Sequence, residues 1–207
     1  MTHPNQRAGS GTTPPMSGDT RGVMRFAYAD PPYLGLAQKF YGHLHAQAAD
    51  YDDPETHRRL IERMTDEFDG WALSLHLPTL KIMLDMCPAD VRIGAWVKPF
   101  ASFKKNVTRA WTWEPILLWG GRQIPITQNT MRDWIEAPAV AESITLQRGF
   151  TGAKPAAVCR WIFDWLNMEP TDEFVDLFPG SGAVTDAYHG WLEERGAREP
   201  QNGLFAA

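Results

Sequence analysis

The stretch Met24-Arg25-Phe26-Ala27-Tyr28-Ala29, followed directly by Asp30-Pro31-Pro32-Tyr33, determines how the rest of the chain is interpreted. Its first part is short, aromatic-rich and mostly apolar, which predicts a buried strand. Since proline cannot continue a hydrogen-bonded ladder, the strand should end at Asp30. Two consecutive prolines also stiffen the backbone, so the loop should hold a carboxylate and an aromatic ring in fixed positions. The alternative is an ordinary strand-terminating turn with a surface acid.

A second stretch in which a predicted strand ends in a turn lies near the end of the chain. Residues 173–178 again form a strand-like run, which leads into Pro179-Gly180-Ser181-Gly182-Ala183-Val184 and a helical pattern through Trp191. A strand, a glycine turn and a helix together allow a ligand to approach bare backbone amides at the helix N-terminus. Gly-Ser-Gly alone is a weak motif, but here the flanking strand and helix supply the context that it needs.

Length and composition indicate one intracellular domain. The 207 residues suffice for one sizeable core, so we expect a disordered tail over residues 1–22 and a single catalytic domain over residues 23–207. The sequence contains no apolar run of membrane-spanning length and no apolar signal segment near Met1, which predicts a soluble, cytoplasmic protein. Cys87 and Cys159 are isolated and the six histidines are scattered, so we predict reduced thiols and no metal site.

The charge is distributed unevenly along an acidic chain. The net charge is −5, yet residues 98–160 hold nine Lys or Arg against four acids. A basic middle segment is compatible with a surface that faces phosphates, although chance would also produce it.

The remaining pattern alternates strands and helices. Residues 34–69 read as two helical parts broken near Pro54, residues 78–86 as a short helix, and residues 154–166 and 183–195 as further helices. Strands are predicted at 70–75, 91–97 and 111–119. The first two of these, joined by the short helix, predict a parallel pair with a right-handed crossover. Trp111 and Trp113 should share one face of their strand and pack.

With both motifs in hand, the chain resembles the S-adenosylmethionine-dependent amino-methyltransferases of the DNA adenine type. In that family an Asp-Pro-Pro-Tyr loop is the catalytic motif, here Asp30–Tyr33, and an Asp-x-Phe-x-Gly-Ser-Gly run is the cofactor loop, here Asp176–Gly182. The catalytic loop comes first, as in the permuted (beta-type) subgroup, and Lys154-Pro155 before the cofactor strand also fits that subgroup. The small size of the chain and the sequence pattern of residues 149–184 are most similar to phage or actinobacterial members, some of which serve restriction-modification.

The resemblance implies a fold, a cofactor and residue roles. The fold would be an α/β, Rossmann-like, mostly parallel methyltransferase sheet, with a reduced number of strands, and the cofactor S-adenosylmethionine. The Asp30 carboxylate and the Pro31 carbonyl would accept the two N–H bonds of the target amino group, and Tyr33 would stack on the base. Only eleven residues follow Gly196, where the family places two more strands and an acid for the cofactor ribose. The full set of implied catalytic residues is Asp30, Pro31, Pro32 and Tyr33, and the implied cofactor-binding residues are Asp30, Lys154, Asp176, Phe178, Pro179, Gly180, Ser181 and Gly182.

The implied partner is double-stranded DNA with its target adenine flipped out. Residues 98–150 would form a small basic target-recognition segment, supported by a homodimer or a partner subunit. Its candidate nucleic-acid-binding residues are Lys104, Lys105, Arg109 and Arg122, with Tyr41, His43 and Arg58 as weaker substrate candidates. The resulting hypothesis is a site-specific DNA N6-adenine methyltransferase. N4-cytosine or RNA adenine methylation, and a catalytically silent nucleic-acid-binding adaptor, remain open as alternatives.

Overall fold

A computed structural model describes residues 22–43, 46–99, 108–125, 130–139 and 153–196. Most of the predicted disordered tail, Lys104, Lys105 and the end of the chain after Gly196 lie outside these residues. No helix within these ranges is long and apolar enough to cross a bilayer.

The described residues form six strands, five α-helices and two 3₁₀ turns. The strands are β1 (Arg25–Ala29), β2 (Gly70–Ser74), β3 (Arg92–Val97), β4 (Trp113–Gly120), β5 (Trp134–Glu136) and β6 (Glu173–Asp176). The helices are α1 (Ala37–Tyr41), α2 (Pro54–Glu67), α3 (Leu80–Leu84), α4 (Ala156–Trp165) and α5 (Ala183–Gly196), and the 3₁₀ turns are Ala48–Asp52 and Leu77–Thr79.

The strands form one mixed sheet in the order β5-β3-β4-β2-β1-β6. β1 pairs in parallel with both β2 and β6, and β3 pairs in parallel with β5. Only β4 is antiparallel to its neighbours, β2 and β3. Within the described sheet β4 is thus the one strand of opposite direction, which agrees with the predicted mostly parallel arrangement.

The predicted adjacent pairing of β2 with β3 is wrong, because β4 lies between them. Leu118 of β4 is opposite Ala72 of β2 on one side and Arg92 of β3 on the other. The apolar run Ile116–Leu118 is fully buried, which suits an interior strand. β2 and β3 do share a direction, and the strand–helix–strand spacing could indicate only that direction, not which strand fills the space between them.

The two faces of β1 pack against different helices because successive side chains on a strand point to opposite faces. Phe26 and Tyr28 belong to the core formed with α4 and α5, whereas Ala27 and Ala29 belong to the core formed with α2 and α3. The start of α2 explains the break near Pro54: Asp53 caps the helix by accepting from the Glu55 N–H at 3.0 Å, and proline is favourable in the first turn.

One edge of the sheet gathers the chemically interesting residues. Here β1, β2, β3 and β6 end and the antiparallel β4 begins, and we call this the site edge. The opposite edge, where β1 and β6 begin and β4 ends, is called the far edge. Tyr28 is opposite Asp176, so the segments after β1 and β6 leave the sheet side by side. Among the described strands β6 is outermost next to β1.

Candidate active site

The centre of the site is an ion pair between Asp30 and Lys154. Asp30 directly follows β1, and Lys154 directly precedes the Pro155 N-cap of α4. The Lys154 Nζ donates to Asp30 Oδ2 at 2.7 Å, and its side chain is 3% exposed against 22% for Asp30. Burial disfavours the ammonium, but the charges of Asp30 and Glu114 and the hydrogen bond to Asp30 outweigh it and raise the pKa of Lys154 above its ordinary value. The lysine is therefore a cation throughout the neutral range.

Tyr33 completes a triangle with this pair. Its hydroxyl donates to Asp30 Oδ1 at 3.1 Å and accepts from Lys154 Nζ at 3.1 Å. Burial, followed by the charges of Asp30 and Glu114, raises the pKa of Tyr33 well above its ordinary value, which keeps the phenol protonated and able to donate. The two prolines thus place the carboxylate and the ring together, as the sequence predicts.

Two residues that the sequence analysis missed stand beside this triangle. Glu114, near the start of β4, forms an ion pair with Lys98 and lies with its Oε2 3.9 Å from Lys154 Nζ. His76, just after β2, is parallel to the Tyr33 ring, with ring centroids 6.3 Å apart and 3° between the planes. The only available signal was the position of Glu114 as the charged residue at the head of an apolar strand.

The glycine bend has an open backbone. Gly180 and Gly182 have φ values of +43° and +81°, a region that side chains rarely adopt. A Cβ at Gly180 would meet only the Phe178 carbonyl oxygen, at 3.7 Å, and one at Gly182 would meet nothing within 4 Å among the described residues. The bend therefore exposes backbone that a ligand can approach.

Asp176 shapes this bend from within. Its carboxylate accepts from the Phe178 N–H and from the Thr185 hydroxyl, each at 3.2 Å, which ties β6 to the bend and to α5. Burial raises the pKa of Asp176, against the opposing effect of these two hydrogen bonds. Asp176, which the resemblance implies as a cofactor-binding residue, does not line the cavity described next.

A cavity of about 510 Å³ connects the two predicted motifs. This volume is in the range of small-molecule sites. The predicted residues that line it are Asp30, Pro32, Lys154, Phe178, Pro179, Gly180 and Ser181. The additional lining residues are Tyr41, Gln47, Ala48, Tyr51, Ala153, Leu177, Ala183 and Val184. Of these, only Tyr41 was a candidate from the sequence.

The predicted nucleic-acid-binding residues have different placements. Arg122 is at the far edge: its Nη1 donates to the Gly22 carbonyl at 3.4 Å and its Nη2 to Asp172 Oδ1 at 2.6 Å. A guanidinium in an internal ion pair at that edge is not available to phosphates near Asp30. Arg109 is exposed. Trp111 is also exposed, at 63%, so the expectation that it packs is wrong; β4 begins only at Trp113.

Of the weaker substrate candidates, only Tyr41 reaches the cavity. Arg58 is on α2 and pairs with Glu55 at 3.3 Å, with 43% of its side chain exposed, and His43 is exposed.

Comparisons with known proteins give a structural likeness only. No protein-family model and no curated protein matches the sequence. The chain is similar to the crystal structure of the M1.HpyAVI-SAM complex, with a TM-score of 0.50 and 17% identity over 82% of this chain and 78% of that one. The crystal structure of M1.HpyAVI gives the same score and identity over 82% of this chain and 77% of that one. This likeness shows the fold and confirms the predicted α/β, Rossmann-like class.

Proposed function

We propose that the protein is an S-adenosylmethionine (SAM)-dependent methyltransferase that modifies the N6 amino group of adenine in DNA. One observation carries the proposal: Asp30 and the glycine bend, 150 residues apart in sequence, line the same cavity. In open α/β sheets, ligands bind at the carboxyl ends of the strands, which is where this cavity lies. The resemblance of both motifs to the amino-methyltransferases supports the same conclusion.

The residues around the bend fit SAM. Gly180, Ser181 and Gly182 would hold its amino-acid part close to the backbone, with Phe178 and Pro179 at the border of the site. The fit rests on the open backbone at the two glycines and on the volume of the cavity. The structure of M1.HpyAVI holds SAM in the same fold. When bound, SAM supplies a methyl group that its sulfonium has already activated, so the protein mainly provides alignment.

Asp30 has the capacity to bind the target amino group. An ionised carboxylate offers about four acceptor positions, and the described contacts, from Tyr33 and Lys154, occupy two of them. An amino N–H can therefore bind Asp30 while the pair stays in place. This hydrogen bond, with a second to the Pro31 carbonyl, would localise the nitrogen lone pair that is otherwise delocalised into the ring. Tyr33 would stack on the flipped base and replace the stacking lost in the duplex.

Lys154 would hold the Asp30 carboxylate in its orientation. The sequence resemblance implies a contact with the cofactor carboxylate, but the ammonium is bonded to Asp30 and Tyr33 in this structure. We therefore propose that Lys154 acts first through Asp30, as a positioning residue. Since Lys154 also lines the cavity, a contact with the cofactor is compatible with that role.

The DNA would approach the site edge. Arg109 and Trp111 are exposed just before β4, which begins at that edge. Lys104 and Lys105 stay in the proposal on the strength of the sequence alone, whereas Arg122 is left out because of its ion pair with Asp172. A homodimer or partner subunit, a cytoplasmic location and a place in a permuted, phage-like restriction-modification system belong to the same proposal.

Methyl transfer from labelled SAM tests this function. The purified chain would be incubated with double-stranded DNA, single-stranded DNA and RNA, and the modified nucleoside identified by mass spectrometry. We expect N6-methyladenine from double-stranded DNA. N4-methylcytosine, or methylation of RNA only, would replace the substrate assignment. Binding of nucleic acid without transfer and without SAM binding would favour a silent adaptor.

A further inference from the structure

We propose that Tyr51 is a cofactor-binding residue whose ring forms the wall against which the adenine ring of SAM packs. The proposal deepens the function proposed above and rests on it. It assigns the nucleoside end of the cofactor to the segment between α1 and α2, which neither motif includes.

The described strands do not line the cavity themselves, so its wall near Tyr51 must come from other elements. β6 is the outermost described strand beside β1, and no described strand lies beyond it to add a wall to the cavity. The glycine bend and Asp30 account for the backbone-lined and carboxylate-lined parts. Another part is lined by Gln47, Ala48 and Tyr51, from the 3₁₀ turn Ala48–Asp52 and the residue before it.

The Tyr51 ring lies directly beside the glycine bend. It meets the Phe178 ring edge-on, with centroids 5.5 Å apart and 82° between the planes. Phe178 is two residues before Gly180, and both line the cavity. A planar purine that is held here would extend from the bend to the Tyr51 ring, stack on its face and meet the Phe178 ring edge-on. Base–aromatic stacking of this kind is favourable for any base.

The turn that carries Tyr51 is held in place by hydrogen bonds. The buried His57 on α2 donates from Nε2 to the Tyr51 carbonyl at 2.9 Å, and its ring meets the Tyr51 ring edge-on at 5.6 Å. Asp52 accepts from the backbone N–H groups of Ala37 and Gln38 at 2.9 and 3.0 Å, which ties the turn to α1. A wall fixed in this way before a ligand arrives costs little ordering entropy on binding.

The ring also has suitable chemistry. Burial, followed by the charge of Asp50, raises the pKa of Tyr51, so the phenol is uncharged at neutral pH. An uncharged aromatic face fits an adenine ring. No motif in the sequence indicates this role, because Tyr51 is in an acidic stretch that predicts a break between two helices.

Calorimetry with two probes tests the assignment. S-adenosylhomocysteine carries both halves of the cofactor, and 5′-methylthioadenosine carries only the nucleoside half. Tyr51→Leu removes the aromatic face but keeps apolar bulk, and we expect it to weaken binding of both probes roughly tenfold. Tyr51→Phe should bind both probes as the wild type does. Trp134→Leu, at a ring on β5 that is 40% exposed and does not line the cavity, is the matched control and should change neither affinity.

The possible outcomes separate the two proposals. If the wild-type protein binds S-adenosylhomocysteine, and Tyr51→Leu binds both probes as tightly as the wild type does, the role of Tyr51 is refuted and the proposed function stands. If the wild type binds neither probe, both proposals fall. Should Tyr51→Leu not fold, irradiation of wild-type protein with a 2-azidoadenine analogue of S-adenosylhomocysteine decides the question. Crosslinking to the peptide that contains Tyr51 supports the assignment, and crosslinking only elsewhere overturns it.

Discussion

Two buried ion pairs, one at each edge of the same sheet, have similar chemistry and different surroundings. At the far edge, Asp172 pairs with Arg122 at 2.6 Å and also accepts the backbone N–H groups of Met24 at 2.9 Å and Glu169 at 2.7 Å. Its side chain is 0% exposed. At the site edge, Asp30 pairs with Lys154 at 2.7 Å and is 22% exposed beside the cavity. Within the described part of the chain, its carboxylate accepts from two side chains, Lys154 and Tyr33, and from no backbone group.

The difference separates a structural carboxylate from a functional one. Asp172 binds two backbone groups from separate segments, so its acceptor positions hold the start of β1 and the loop before β6 together. Asp30 keeps acceptor capacity and access to a cavity, which is what a residue that binds a substrate amino group requires. We therefore expect the same substitution, aspartate to asparagine, to lower mainly activity at position 30 and mainly stability at position 172.

The largest expected effect is on catalysis by Asp30→Asn. The substitution removes the negative charge and replaces one acceptor with a donor, so methyl transfer should fall by roughly 10²- to 10⁴-fold. Affinity for S-adenosylhomocysteine should change little, since the glycine bend is intact. Single-turnover transfer and calorimetry measure the two quantities. Wild-type transfer by this variant would refute the role of Asp30.

The second prediction concerns stability and uses the matched variant. Asp172→Asn leaves the buried Arg122 guanidinium with the more distant Glu169 carboxylate, 3.7 Å from its Nε, as its remaining described counter-charge. The substitution should lower the free energy of unfolding by about 3 kcal/mol. Asp30→Asn should lower the free energy of unfolding by only about 1 kcal/mol, because Lys154 keeps its hydrogen bond to the Tyr33 hydroxyl and water can enter from the cavity. Urea denaturation of both variants measures this. Equal losses would mean that the two pairs are structurally equivalent.

A control for charge loss alone is available next to Asp172. Glu173 pairs with Arg25 at 3.0 Å, but both side chains are at least half exposed. Glu173→Gln should therefore change the free energy of unfolding by less than about 1 kcal/mol.

The third prediction separates two roles for Lys154. If Lys154 positions Asp30, Lys154→Met should lower kcat by roughly 10²-fold and leave the KM for SAM nearly unchanged. If it instead binds the cofactor carboxylate, the KM for SAM should rise and kcat should change less. Lys81→Met is the matched control, because Lys81 is exposed on α3 and does not line the cavity. Steady-state kinetics with labelled SAM distinguishes the two results.

The smallest expected effect is a pH dependence through His57. Burial lowers the pKa of His57, against the opposing effects of the Tyr51 carbonyl, Asp52 and Asp53. The neutral imidazole therefore contributes stability above the ordinary histidine pKa of about 6.5, and this contribution is lost as the pH falls through the lower pKa of the folded state.

His57→Gln should reduce this pH dependence. Between pH 7 and pH 5 the free energy of unfolding of the wild type should fall more steeply than that of the variant. The two slopes should differ by up to about 1.4 kcal/mol per pH unit, which corresponds to the binding of one proton. Parallel slopes in urea denaturation at several pH values would show that His57 does not titrate in this way.

The sequence predicted the parts of the molecule that depend on local patterns. Asp30–Tyr33 and Gly180–Gly182 could be placed at one edge because the carboxyl ends of parallel strands meet there. The break near Pro54 followed from the acidic, proline-containing stretch 50–54. The position of β4 between β2 and β3 could not be predicted, since spacing does not specify which strand fills an interior place.

Partners that are distant in sequence were the other limit. Lys154 is 124 residues from Asp30, and Arg122 is 50 residues from Asp172. A lysine in a motif and an arginine in a basic segment both suggest ligand contacts, yet each has an internal carboxylate as its partner. Tyr51 is the opposite case: its sequence context suggests no ligand contact, yet the fold places it in the cavity wall.

Nucleoside analysis of DNA from a methylation-deficient bacterial host tests the central claim most directly. The host would express the wild-type chain, Asp30→Asn or Asp172→Asn, the last at a temperature where it remains folded. We expect N6-methyladenine with the wild type and with folded Asp172→Asn, and none with Asp30→Asn. No methylated base with the wild type, or equal methylation with all three chains, would contradict the account.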